Sequence, residues 1–259
     1  GGIIMFTDEE LYKIESLCQE HPEFQHIIRR FREESQYMLS SISHELRNPI
    51  TLIHSTVQLM EKKNPEIVQI PYWSQLKNDI NYTISLLEEY SNYNHSEEIR
   101  LSTVDLYDLI KNIKDECNVM NADKNVKLYL EASQISRKNI RSYSCDVIKL
   151  KQVFVNIIKN AFEAIDEKGF IHIDINADPA RLCKNIDGNI YMLITISNNG
   201  KKIPEDELPG IFEPFVTYKS GGTGLGLAIA DRVITSHGGS IQVLSDDDIT
   251  SFNIMLPLF

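Results

Sequence analysis

Between Pro22 and about Lys63 the chain has no glycine, and apolar residues recur at Leu39, Ile42, Leu46, Ile53, Val57 and Met60. Steps of three, four and seven hold these side chains in one stripe along a helix. The spacing predicts one long helix, with Pro49 the place where it would bend. Asn64-Pro65 and Pro71 interrupt it, and a second stripe follows at Trp73, Leu76, Ile80, Thr83, Leu87 and Tyr90. Two long helices on a short connection make an antiparallel hairpin. One hairpin alone leaves much of each stripe in water, whereas two paired as a four-helix bundle cover it, so a homodimer is expected.

The polar run from Asn92 to Arg100 ends this texture. Beyond it, strands are predicted at Val126 to Glu131, Phe170 to Asn176, Ile190 to Ser197, Ser240 to Ser245 and Phe252 to Leu256. Helices are predicted at Asp105 to Asp123, Asp146 to Glu167 and Gly224 to His237. The fold class is therefore α+β, a helical hairpin followed by a sandwich of helices over one sheet face. The expected domains are 1–98, with a helical linker at its start, and 99–259. A chain of 259 residues with 42% hydrophobic content can supply two cores.

A net charge of −11 and the lack of a basic run argue against nucleic acid or an anionic membrane as partner. No run approaches the roughly 20 apolar residues that a membrane span needs, and the expected location is cytoplasmic. The start Gly1-Gly2-Ile3-Ile4-Met5 reads as a truncation point, which leaves open a membrane-anchored sensor segment upstream. Cys18, Cys117, Cys145 and Cys183 have no metal-ligand spacing and are expected to be free thiols.

His44 lies two positions from both Ile42 and Leu46, so at 100° per residue it points away from the stripe, with Glu45 beside it and Asn48 on its own face. An imidazole that attacks a phosphoryl group must be neutral, exposed and held in one tautomer. Glu45 can orient the ring and take up the proton released. Asn156 and Asn160, four apart on one helix, leave it on the same side, and an amide oxygen suits Mg²⁺ on nucleotide phosphates. Gly221, Gly222, Gly224 and Gly226, opening a helix at Leu227, form a backbone cradle suited to phosphate. Phe212-Glu213-Pro214-Phe215 can anchor a mobile lid, from which Lys219 can reach a phosphate as a point charge. Each feature alone has a bland alternative, a solvated helix face or an aromatic turn. Their combination points to phosphoryl transfer.

Together these segments resemble the sensor histidine kinases of two-component signalling. His44-Glu45-Leu46-Arg47-Asn48-Pro49 is similar to their H box, Asn156 to Ala164 to the N box and Phe212 to Phe215 to the F box. Gly222-Thr223-Gly224-Leu225-Gly226 is similar to their second glycine box, and His237-Gly238-Gly239 to the segment that follows it. The resemblance implies a dimeric phosphoacceptor hairpin and a Bergerat-type ATP-binding domain. It also implies that His44 is autophosphorylated from Mg-ATP and passes the group to an aspartate on a response-regulator receiver domain. Asn160 matches the Mg²⁺ ligand. Asn156 stands where related ATPases place a water-activating glutamate, which favours transfer over hydrolysis. The spacing from Glu45 to Asn48 is similar to the family's phosphatase motif, in which the amide positions water.

The first glycine box departs from the family's Asp-x-Gly-x-Gly, reading Asn198-Asn199-Gly200-Lys201-Lys202. An amide at the adenine-contacting place is a neutral acceptor, weaker than a carboxylate by about 1 kcal/mol. Lys202 in place of glycine makes any φ > 0 there costly. The alternative reading is therefore a pseudokinase, or a phosphotransfer docking dimer with impaired ATP binding. A third is a protein acting mainly as a phosphatase.

Overall fold

The computed structural model describes residues 22–182, 189–219 and 221–258, and for part of the first helix, Leu39 and His44 included, the backbone alone. Cys18, Cys183 and the part of the expected linker before Pro22 lie outside the described residues. The chain divides into two compact units, 1–87 and 88–259.

In the first unit, helix α1 (Pro22–Lys63) runs without a break through Pro49. A 3-10 turn at Pro65–Gln69 leads to α2 (Trp73–Asn94), whose last turns belong to the second unit. The reversal uses Tyr72 at φ 69°. Val57, Trp73 and Ile80 form the buried cluster, with Ile50, Ile67 and Ile84 packed against it. The end of α1 thus packs on the start of α2, as in the antiparallel hairpin that the two stripes predict. Beside the cluster, Trp73 Nε1 and Lys77 Nζ donate to the two oxygens of Glu61 at 2.8 and 2.9 Å. These bonds, that of Lys77 first, hold the Glu61 carboxyl below its ordinary range. No helix among the described residues is long and apolar enough to cross a membrane.

The second unit adds β1 (Ser102–Val104), α3 (Leu106–Met120), β2 (Asn125–Ala132), α4 (Gln134–Asn139), β3 (Tyr143–Cys145) and α5 (Val147–Ala164). There follow β4 (Lys168–Asn176), β5 (Tyr191–Asn198), α6 (Gly226–Ser236), β6 (Ser240–Ser245) and β7 (Thr250–Pro257). The main sheet has the order β2-β4-β5-β7-β6, parallel between β2 and β4 and antiparallel elsewhere. Alternation decides its faces. Ile171, Ile173, Ile175, Met192, Ile194, Ile196, Phe252, Ile254 and Leu256 are buried on one side, as are the inward residues of α3, α5 and α6. The other side carries polar pairs in register, such as Thr195 with Asn253 and Ser197 with Ser251, hydrogen-bonded at 2.9 Å.

All five predicted strands and all three predicted helices of this unit are present, each within a few residues of its expected ends. β1, β3 and α4 escaped the sequence reading. Of the cysteines, Cys117 and Cys145 are buried and free. Burial pushes the Cys145 thiol up to about 11 and raises that of Cys117 too, which makes both unreactive at neutral pH.

Candidate functional site

The N-box helix and the glycine loop meet. On α5, Val153, Phe154, Ile157, Ile158 and Ala161 face the core, which leaves Asn156 and Asn160 half-buried on its rim. Asn156 Nδ2 donates to Gly226 O at 3.0 Å, so an amide on one helix grips the first turn of another 70 residues away. Asn160 Oδ1 accepts from Lys219 Nζ at 3.0 Å, and the same ammonium lies 2.8 Å from Glu163 Oε2. A cation thus already rests on the amide oxygen expected to ligate Mg²⁺. Glu163, unremarked in the sequence, completes that cluster.

Helices α3, α4 and α5 are capped by the side chains of Asp105, Ser133 and Asp146. α6 starts after Leu225 with no side-chain cap, so its first amides and the positive end of its dipole are open to an anion. The preceding loop is tightly folded. Gly224 has φ 70°, and a Cβ there would come within 2.6 Å of the Phe215 carbonyl carbon, while its carbonyl accepts from Phe215 N at 3.0 Å. Leu225 is fully buried, so only its backbone can meet a ligand. The Thr223 hydroxyl donates to Glu89 and accepts from Leu225 N at 3.3 Å. Phe212 is half-buried. Phe215 takes φ 66°, rare for an aromatic residue, and its ring lies 6.0 Å from that of Tyr90.

The altered glycine box sits at the end of β5. Asn198 is 2% exposed, and its Nδ2 is buried without a hydrogen-bond partner. Thr250, not singled out from the sequence, is its cross-strand partner and equally buried. Asn199 Oδ1 accepts from Phe170 N at 2.7 Å. Gly200 is needed for close approach: a Cβ there would stand 2.7 Å from the backbone of Ala164, and Lys201 N donates to Ala164 O at 2.9 Å. The strain expected at Lys202 does not arise. Among the described residues only Tyr72 and Phe215, apart from glycines, take positive φ. Lys201 and Lys202 pair instead with Asp166 and Asp247 at 3.0 and 3.2 Å.

In the first unit Glu45 and Asn48 are exposed on α1, and the His44 side chain lies outside the described residues.

Two family models match the chain: the His Kinase A (phospho-acceptor) domain over residues 34–122, and the histidine kinase-, DNA gyrase B-, and HSP90-like ATPase over 145–259. The chain is 30% identical over 222 residues to sporulation kinase E of Bacillus subtilis (strain 168), covering 85% of this chain and 28% of that protein. It is 26% identical over 228 residues to the sensory histidine kinase/phosphatase NtrB of Rhodobacter capsulatus, covering 85% and 61%. Its span is thus less than two thirds of either relative. The crystal structure of full-length ShkA in complex with AMPPNP shares the fold, with a TM-score of 0.70 at 23% identity over 85% of this chain and 45% of that one. A phospho-acceptor helix followed by an ATPase-type sandwich, with the N box and glycine loop joined as described, places the chain in the sensor histidine kinases of two-component systems.

Proposed function

We propose that this chain is an ATP-dependent protein histidine kinase: it autophosphorylates His44 from Mg-ATP and transfers the group to an aspartate on a response-regulator receiver domain. The observation that carries this reading is the junction of α5 with the glycine loop, through Asn156 to Gly226 and Asn160 to Lys219. The donor set fits a divalent cation, since an amide oxygen and a nearby carboxylate already hold an ammonium. Magnesium, when bound, offsets the charge of the transferring phosphoryl group. Asn160 would ligate it, the open amides of α6 and the backbone of Gly222 to Gly226 would take phosphate, and Lys219 would exchange Asn160 for a phosphate oxygen. Asn198 and Gly200 would bound the base, with Phe212 anchoring the lid.

At His44 a neutral ring nitrogen forms the N–P bond as the bond to the leaving diphosphate breaks. The other ring nitrogen becomes acidic, and Glu45 accepts its proton. Asn48, exposed on the same helix, would position water against a phospho-aspartyl partner, a reading supported by the kinase/phosphatase name of the NtrB relative. We place the domain boundary at 98/99 and expect a homodimer.

Incubation with radiolabelled Mg-ATP should give acid-labile, base-stable protein phosphate that His44→Ala abolishes. Asn48→Ala should keep that label while losing phospho-regulator hydrolysis. A folded protein that takes up no label would turn the assignment to the docking-dimer reading, for which the neutral Asn198 is the remaining support.

A further inference from the structure

Asn198 ends a row in which Met192, Ile194 and Ile196 are fully buried, on the face of the sheet that forms the core. Its cross-strand neighbours offer it nothing. Ile171 is apolar, and the Thr250 hydroxyl is engaged with Ser245 Oγ at 2.6 Å. A buried amide N–H₂ without an acceptor is a liability that no packing requirement of an apolar row explains. Two residues on, Gly200 rests on Ala164, one helical turn beyond Asn160 on the same helix. The unmet donor therefore lies at the base end of the site proposed above.

We propose that Asn198 lets this site accept 6-oxopurine as well as 6-aminopurine nucleotides, a specificity that rests on the nucleotide-site reading. The edge of adenine presents an N6–H donor beside the N1 acceptor, and that of hypoxanthine or guanine presents the O6 acceptor beside an N1–H donor. A primary amide carries one acceptor and one donor side by side, so it pairs with either edge through two hydrogen bonds by turning over about its terminal torsion. A carboxylate at the same place has acceptors only. It can make only one of the two bonds, accepting from adenine N6–H or from the N1–H of the 6-oxo base, and it sets a lone pair against N1 or O6 in turn. The amide alone can therefore hold both kinds of base through two hydrogen bonds, without choosing between them.

Calorimetric titration of the full chain with Mg-ATP and Mg-ITP tests this without relying on turnover. Inosine differs from adenosine at the 6-position and N1 and lacks the 2-amino group of guanosine, so steric effects at C2 do not enter. The wild-type protein should bind the two within about tenfold of each other, one hydrogen bond's worth of discrimination. Asn198→Asp should weaken both nucleotides about tenfold or more, since a carboxylate makes only one of the two bonds with either base. Asn198→Ala should weaken both nucleotides by a similar factor, and it covers the case in which a buried carboxylate fails to fold. ATP binding with ITP rejected by the wild type overturns the inference alone. Failure to bind either nucleotide overturns the nucleotide-site reading and this inference with it.

Discussion

Asp146 ties together three segments of the second unit. Its Oδ1 caps α5 by accepting from Lys149 N at 3.1 Å, and its Oδ2 accepts from Arg100 N at 2.8 Å. Its own N–H donates to His237 Nε2 at 3.0 Å, while His237 Nδ1 donates to Val233 O at 2.7 Å, which fixes a neutral tautomer. Burial alone would raise the Asp146 carboxyl, but the backbone N–H groups of Arg100 and Lys149 outweigh it and hold the pKa below its ordinary value of 3.8. A depressed folded-state pKa contributes stability that is fully present above the unfolded value and is lost as pH falls through the folded one. Asp146→Ala should therefore cost about 1–2 kcal/mol in urea unfolding at pH 7. That difference from wild type should shrink below about pH 4, and Asp146→Asn, which keeps a cap, should cost less and flatten the pH dependence. A constant difference between pH 7 and 3 would refute the assignment. In the sequence, Asp146 opens a predicted helix and His237 precedes two glycines, but nothing couples positions 91 apart until the fold brings them together. Glu163 beside Lys219 and Thr250 opposite Asn198 were hidden for the same reason, whereas Asn156 and Asn160 were legible because their relation is local, one helical turn.

Elements were legible where a period is sustained. The five main strands carry apolar alternation over six to nine residues, and α3, α5 and α6 carry helical stripes. β1 and β3 have three residues each, too few to show a period, and α4 is only six residues long behind its Ser133 cap. The glycine loop was readable as a phosphate cradle, but which glycine is indispensable was not. Gly221 and Gly224 both have positive φ, at 76° and 70°, yet a Cβ at Gly221 meets nothing within 4 Å while one at Gly224 runs into the backbone of Phe215 and Val216. Alanine at Gly221 should cost only the left-handed penalty, about 1–2 kcal/mol. At Gly224 the collision also separates the loop from the F box. Amide hydrogen exchange at Phe215, whose N–H donates to Gly224 O, should accelerate at least tenfold in Gly224→Ala and change little in Gly221→Ala. Equal exchange in the two variants would remove the steric argument and leave φ alone as the reason for glycine.

For the molecule as a whole, the hairpin's stripes were the easiest feature to read and are the least satisfied within one chain. Val57, Trp73 and Ile80 are buried, but Ile42, Leu46, Ile53, Met60 and Leu76, on the same predicted stripes, are 42–51% exposed. Burying an aliphatic side chain of this size contributes about 1.5–3 kcal/mol, so several of them on each of two copies can hold a four-helix bundle together. A single pair of helices with so small a core has no comparable source of stability. Sedimentation equilibrium should therefore find the chain dimeric at micromolar concentration. Ile53→Asp or Leu76→Asp should weaken the dimer at least a hundredfold, since each substitution acts twice and places a carboxylate in the seam. Leu52 is the discriminating control: it adjoins Ile53 and is 70% exposed, but stands about 100° away around the helix and off the stripe. Leu52→Asp should leave the dimer intact. A wild-type monomer, or equal weakening by Leu52→Asp and Ile53→Asp, would mean that the exposed stripe is not the self-association surface and that something other than a second copy covers it.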